Sequence, residues 1–139
     1  MEVVNEVMPD MARAMAFFGG VEDGPFVMVN LLKFKPRAEY PDGADSHLTG
    51  AQAYAIYGEG VRKLVEGLGG KIRYSGAVTD LMIGEVEELW DMVALAEYPS
   101  RAAFREMAMS PAMHAIEHHR KAGLAGQLNI RTKPGAEFL

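Results

Sequence analysis

The sequence predicts an α+β domain: one four-stranded antiparallel sheet with helices on one face. Three observations carry the prediction. A strand-like run over 89–98 turns at Pro99 and Ser100 into a helix that breaks and restarts at Ser110-Pro111. A second run, Phe26 to Phe34, is nearly all apolar and β-rich, as expected of a strand buried on both faces. In order, the elements read strand, helix, strand, strand, helix, strand, the split βαβ pattern.

Ahead of this core, Met8, Met11, Met15 and Phe18 recur at helical spacing behind Pro9, and Gly19-Gly20 supplies a stop. A short helix is expected, its stripe docked in a groove of the domain. Asp23-Gly24-Pro25 turns into the first strand, where Asn30 is the polar exception. Its amide must find partners or cost about 1–3 kcal/mol, so it either pairs with a neighbouring loop or faces a polar cavity. Residues 35–48 hold two prolines and a Pro-Asp-Gly turn without periodicity. A loop of that length is a lid, a binding loop or solvated surface, which makes Arg37, Tyr40 and His47 minor site candidates.

Thr49 and Gln52 form a capping box. In the helix that follows, Tyr54, Tyr57, Val61, Leu64, Val65 and Leu68 share one stripe, with Glu59, Arg62, Lys63 and Glu66 outside it. The two tyrosines are core residues with hydroxyls at an edge, or ligand contacts. Gly58 and Gly60 each cost about 1 kcal/mol against alanine in a helix, which points to a close neighbouring backbone or a bend. Gly69-Gly70 ends the helix. In the second strand, 71–78, Ile72 and Tyr74 are read as sharing a face, and an apolar piece, Leu81-Met82-Ile83, precedes the acidic turn Glu85 to Glu88.

The third strand sets Trp90, Met92, Ala94, Ala96 and Tyr98 against Asp91, Val93, Leu95 and Glu97. Ser100 caps a helix with Phe104, Met107 and Ala108 on its apolar side, and Ser110 caps the next with Pro111 at its first position. The last strand, 127–131, is read with Leu128 and Ile130 inward. Pro134 to Leu139 form a tail that is loose or lies on a partner. Helices cover only one side of such a ferredoxin-like sheet, yet the strands at 26–34 and 89–98 are apolar on both. A second copy of the chain is the simplest cover, so a homodimer is expected.

At 139 residues, 49% of them apolar, the chain suits a single domain: a helical extension over 1–25, a core over 26–132 and a tail over 133–139. A formal net charge of -5 argues against a nucleic-acid surface. No cysteine is present, which removes disulfides and thiolate chemistry and fits a reducing compartment. The acidic first residues are unlike a secretory signal, and no apolar run approaches the roughly 18 residues of a membrane span. A cytoplasmic protein is expected.

His114-Ala-Ile-Glu-His118 matches the H-x-x-E-H pattern of inverted zinc peptidases. On a wheel whose apolar side is Ala112, Met113, Ala115, Ile116 and Ala122, however, His114 and His118 point outward, so no metal is expected. The same wheel puts His119 on the buried side with Arg120 at its edge, which makes His119 the first candidate acid or base. Glu97 ends a buried strand and must pair or shift its pKa, with Arg101 or Arg120 as partners. No cofactor is expected, since neither a glycine-rich phosphate loop nor a dinucleotide fingerprint is present.

Together these residues resemble the DUF1330 family of the dimeric α+β barrel superfamily. The resemblance spans 26–132 and rests on Tyr54-x-x-Tyr57, Gly69-Gly70, Gly76, the corner Glu97-Tyr98-Pro99-Ser100-Arg101 with Phe104, Ser110-Pro111 and His119-Arg120. It implies a homodimer whose two sheets form a barrel, with a pocket between each sheet and its helices or loops. Relatives in that superfamily include cofactor-free monooxygenases, isomerases, haem enzymes and ligand-sensing domains, and this sequence carries no haem-attachment motif. The resulting expectation is a small isomerase- or monooxygenase-like enzyme acting on an apolar or aromatic metabolite. Asn30 would orient a carbonyl or stabilise an enolate, His119 or Glu97 would move the proton, and Tyr54, Tyr57, Trp90 and Arg120 would line the pocket. The alternative is a ligand-binding or stress-associated module without turnover.

Overall fold

The computed structural model of the chain describes residues 1–20 and 24–135. Its elements are α1 (Met11–Phe18), β1 (Phe26–Phe34), α2 (Gly50–Gly67), β2 (Lys71–Ala77), β3 (Met92–Tyr98), α3 (Arg101–Ala108), α4 (Pro111–Gly123) and β4 (Leu124–Thr132). The strands lie in the order β2-β3-β1-β4, all pairs antiparallel, with the helices on one face. This is the α+β, ferredoxin-like arrangement the element order predicts. Part of the Asp23-Gly24-Pro25 turn, and the tail from residue 136, fall outside the described residues.

Local chemistry places the helix ends. Thr49 and Gln52 close a reciprocal capping box, and Ser100 and Ser110 accept from Ala103 N and Met113 N. Ser110 also donates to Met107 O at 2.7 Å, so one residue closes α3 and opens α4. At the α2–α4 crossing the backbones nearly touch. A Cβ on Gly50 would meet Lys35 O at 2.1 Å, and one on Gly123 would meet Gly50 O at 2.4 Å. Gly50→Ala is therefore expected to destabilise the fold by about 1–3 kcal/mol, read as a lower thermal midpoint, whereas Gly58→Ala, with open space around it, should add about 1 kcal/mol.

Register assigns the two sides of the sheet. Phe26, Met28, Asn30 and Leu32 pair with Tyr98, Ala96, Ala94 and Met92, and all of these face the helices. Phe26, Met28 and Leu32 are at most 4% exposed, and Phe26 and Met28 join Tyr57, Val65, Met107 and Met113 in the main core. On the other side Val27, Val29 and Leu31 lie beside Val93 and Leu95 and beside Leu128 and Ile130, all partly or largely exposed.

Three expectations are corrected. A register shift between Ile72 and Tyr74 puts them on opposite sides, Ile72 in the core and Tyr74 58% exposed. Leu128 and Ile130 face the open side, while Gln127 and Asn129, opposite Leu32 and Asn30, share the helix side. In α1 the methionine stripe points out, Met11 at 77% and Met15 at 67% exposure. Phe17 packs instead, its ring 6.0 Å from Phe26 and 5.8 Å from Phe104, because an aromatic ring buries more apolar area than a flexible thioether.

The 35–48 loop is docked rather than solvated. Glu39 N donates to Ala122 O at 3.0 Å, and Ala38 and Tyr40 join Ala53 and Ala122 in a second small core.

Candidate functional site

The polar exception in β1 starts a continuous line of hydrogen bonds on the helix side of the sheet. Asn30 Nδ2 donates to the main-chain oxygens of Ala94 at 3.2 Å and Met28 at 3.4 Å. Those oxygens only accept, so the amide is oriented and its Oδ1 must accept. It does so from Asn129 Nδ2 and from Gln127 Nε2, the latter at 2.8 Å. Gln127 is thereby oriented too, with Oε1 turned to Arg120 Nη2 at 2.7 Å. Arg120 goes on to Glu117 Oε1 at 3.0 Å and to the main-chain oxygen of Val7 at 2.6 Å.

This line lies against an aromatic layer. Tyr54 stacks at an angle between Phe34 and Tyr57, at 5.3 Å from each. Burial pushes the Tyr54 hydroxyl up to about 12, with Arg120 pulling it down and Glu117 pushing it up, so Tyr54 lies within electrostatic reach of both. Burial raises Tyr57 and Tyr98 as well. All three keep their protons near neutral pH and so are not bases, and the Tyr57 hydroxyl donates to Met113 Sδ at 3.9 Å.

The N-terminal segment closes this site. Glu6 N donates to Gln127 O at 3.2 Å, Trp90 Nε1 donates to Asn5 Oδ1 at 2.8 Å, and Val7 holds Arg120. Trp90 therefore contacts the segment that covers the site.

The three residues expected to share the chemistry occupy three places. Asn30 is saturated by the amide network. Glu97 is on the open side of the sheet, where it holds Arg73 at 2.8 and 3.2 Å rather than Arg101 or Arg120. His119 leaves the α4 face that carries Arg120 and bonds Tyr40 Oη through Nδ1 at 2.7 Å, with the His118 ring 3.9 Å away. The wheel is also shifted, since Ala112 and Ala115 are exposed while Met113, Ala122 and Gly123 are buried. Tyr54, Tyr57 and Arg120 are brought together. Glu117 enters the sequence reading only as the glutamate of the 114–118 motif, and Gln127 and Asn129 only as residues of the last strand. The signal for the last two is the polar alternation in an edge strand paired with the strand that carries Asn30.

Two surface grooves, of about 330 and 270 Å³, lie near Arg101 and are lined by none of the expected site residues. Among the described residues no group of three or more His, Cys, Asp or Glu is placed to hold a metal, and no helix is long and apolar enough to cross a membrane.

Burial and the neighbouring His118 hold His119 below its ordinary 6.5, against a raising pull from Asp45. The unfolded chain therefore binds its proton first as pH falls, and the stability this group supplies is present above about pH 6.5 and lost on acidification through the lower folded value. Thermal midpoints measured from pH 7.5 to 5 should fall less steeply in His119→Gln, where the amide can still accept from Tyr40. Identical slopes would contradict the assignment.

No family model and no curated protein matches the chain. Two crystal structures of RPA0582, a protein of unknown function from Rhodopseudomonas palustris, resemble it along nearly its whole length. They show 39% and 38% identity, TM-scores of 0.87 and 0.86, and coverage of 96% of this chain and 98% and 100% of that one. An Arabidopsis thaliana protein (18% identity, TM-score 0.53, 82% of this chain and 99% of that) shares the fold. So does a Caulobacter crescentus protein named as a candidate antibiotic biosynthesis monooxygenase (15%, 0.53, 82% and 92%).

Proposed function

We propose a function from the premise that this chain belongs to the family of the Rhodopseudomonas palustris protein RPA0582. It binds a small apolar or aromatic metabolite between the helix side of its sheet and the helices, as a homodimer joined through the other side. The observation that carries the reading is the oriented line Asn30, Gln127, Arg120, Glu117 set against Tyr54, Tyr57 and Tyr98. Small-molecule sites are built this way, with apolar and aromatic walls and a few fixed polar groups. The Arg120–Glu117 pair is partly buried, its side chains 13% and 23% exposed, and an ion pair withdrawn from water adds little to stability over apolar side chains of the same size, which favours recognition as its purpose.

A substrate oriented by Asn30 with its proton moved by His119 or Glu97 is not part of this reading, because His119 bonds Tyr40 and Glu97 holds Arg73 on the other side of the sheet. Isomerase- or monooxygenase-like enolate chemistry is the second reading, and Tyr54 favours it. A protonated hydroxyl beside Arg120 suits a developing oxyanion, and Glu117 is the carboxylate at hand to move a proton.

Pairing is supported by the open side of the sheet. Val27, Val29, Leu31, Val93, Leu95, Leu128 and Ile130 form one apolar patch, with Lys33–Asp91 and Arg73–Glu97 ion pairs along its margin. An apolar centre with a charged rim is interface anatomy. Kinship with the DUF1330 family, and with it the division of the chain at residues 26 and 132, is part of the proposal and rests on the tyrosine pair and the 97–101 corner.

Amide chemical-shift mapping with a panel of aromatic and aliphatic metabolites tests the site. Shifts should cluster at 28–32, 54–57, 117–120 and 127–129, and the compounds that bind would then be assayed for turnover. Clustering around Tyr40 and His119, or on the open side, would overturn the assignment.

A further inference from the structure

We propose that Arg120 anchors the carboxylate of an anionic ligand, and that the N-terminal segment Asn5 to Met8 is a displaceable stand-in for that ligand. The inference rests on the binding reading above and adds to it the ligand's charge and a gate.

The geometry is specific. Of the oxygens on Arg120, Glu117 comes from its own helix and Gln127 from the adjoining strand, both fixed parts of the fold. The third, Val7 O at 2.6 Å from Nη2, is a neutral main-chain oxygen from outside it. A carboxylate brings a full opposite charge and a bidentate fit that a neutral main-chain oxygen lacks, so an anion reaching Arg120 would outcompete it. The segment is thinly held. Besides the Arg120 bonds to Val7 O and to Met8 Sδ at 3.7 Å, it has one backbone bridge, to Gln127, and one side-chain bond, Asn5 to Trp90, while Val4 is 66% and Met8 52% exposed. Segments with so few buried contacts open at low free energy.

It is nonetheless seated and not merely draped. A Cβ on Gly126 would lie 2.6 Å from Asn5 Cβ, so the strand is notched where the segment crosses it. When the segment lifts, Nη2 of Arg120 loses a partner, and the carboxylate of an apolar or aromatic ligand takes the vacated place within electrostatic reach of Tyr54.

Trp90 is the chain's single tryptophan and bonds the segment directly, so its emission reports the gate. The full-length protein would be titrated with benzoate and with benzyl alcohol, its neutral counterpart, while acrylamide quenching of Trp90 is followed. Benzoate should bind saturably and raise quenching, with benzyl alcohol about tenfold weaker or more. Asn5→Ala, which loosens the segment, should tighten benzoate about fivefold, and Arg120→Gln should abolish the preference for benzoate. Arg120→Lys serves if that variant does not fold, and should reduce the preference by keeping the charge without the fork. Equal binding of the two probes, no binding of benzoate, or an unchanged benzoate affinity in Asn5→Ala would overturn the proposal. Neutral aromatics that map to Tyr54 and Gln127 without any preference for the acid would sink this inference and leave the binding reading standing.

Discussion

Replacing Leu95 with lysine should convert the protein from paired to single subunits without unfolding it. Leu95 sits in the central strand β3, opposite Val29 on one neighbour and Tyr74 on the other, at the middle of the open apolar side. In a two-fold pair the substitution puts a charge on each subunit inside the same desolvated contact, where an unpaired ion costs several kcal/mol. The helix side is untouched, so circular dichroism should stay native while sedimentation reports the 15.2 kDa chain. Leu95→Met, close in volume, should remain paired. A Leu95→Lys protein that still sediments as a dimer would place the contact elsewhere.

Arg120→Leu is the second large effect, and it acts on stability. The substitution strands the Glu117 carboxylate, whose side chain is 23% exposed, and leaves Gln127 Oε1 without its donor. Breaking a buried pair on one side costs about 3–5 kcal/mol, which for a domain of this size lowers the thermal midpoint by roughly 10 °C or more. Partial exposure of Glu117 places the loss toward the lower end. Adding Glu117→Leu should return much of the stability, because the second change removes the stranded charge. Additive losses in the double variant would show that the two residues do not act as a pair.

The fold was legible in the sequence wherever local chemistry decides it. The capping box at Thr49, the Ser110-Pro111 restart and the alternation of 92–98 each fix an element from its own residues, and the order of elements then fixes the sheet. The site was legible only in part. Tyr54, Tyr57, Arg120 and Asn30 stand out as residue types in unusual settings, but which of them meet depends on strand register and helix rotation. A bulge beside Tyr74 reversed one face of β2. A small rotation of α4 turned Arg120 toward the sheet and His119 toward Tyr40. The N-terminal segment over Arg120 shares only Met8 with the periodic stripe, and its hold on the fold is main-chain bonding at Glu6 and Val7, the Met8 sulfur and a single asparagine, which leave no pattern in the sequence.

The two sides of the sheet are assigned separate tasks, ligand on one and partner on the other, and the second is the more exposed to test. Sedimentation velocity of the unmodified chain at micromolar concentration measures it directly. A species at twice 15.2 kDa is the result this account predicts. A single-subunit species across that range would leave the apolar side bare in water and contradict it.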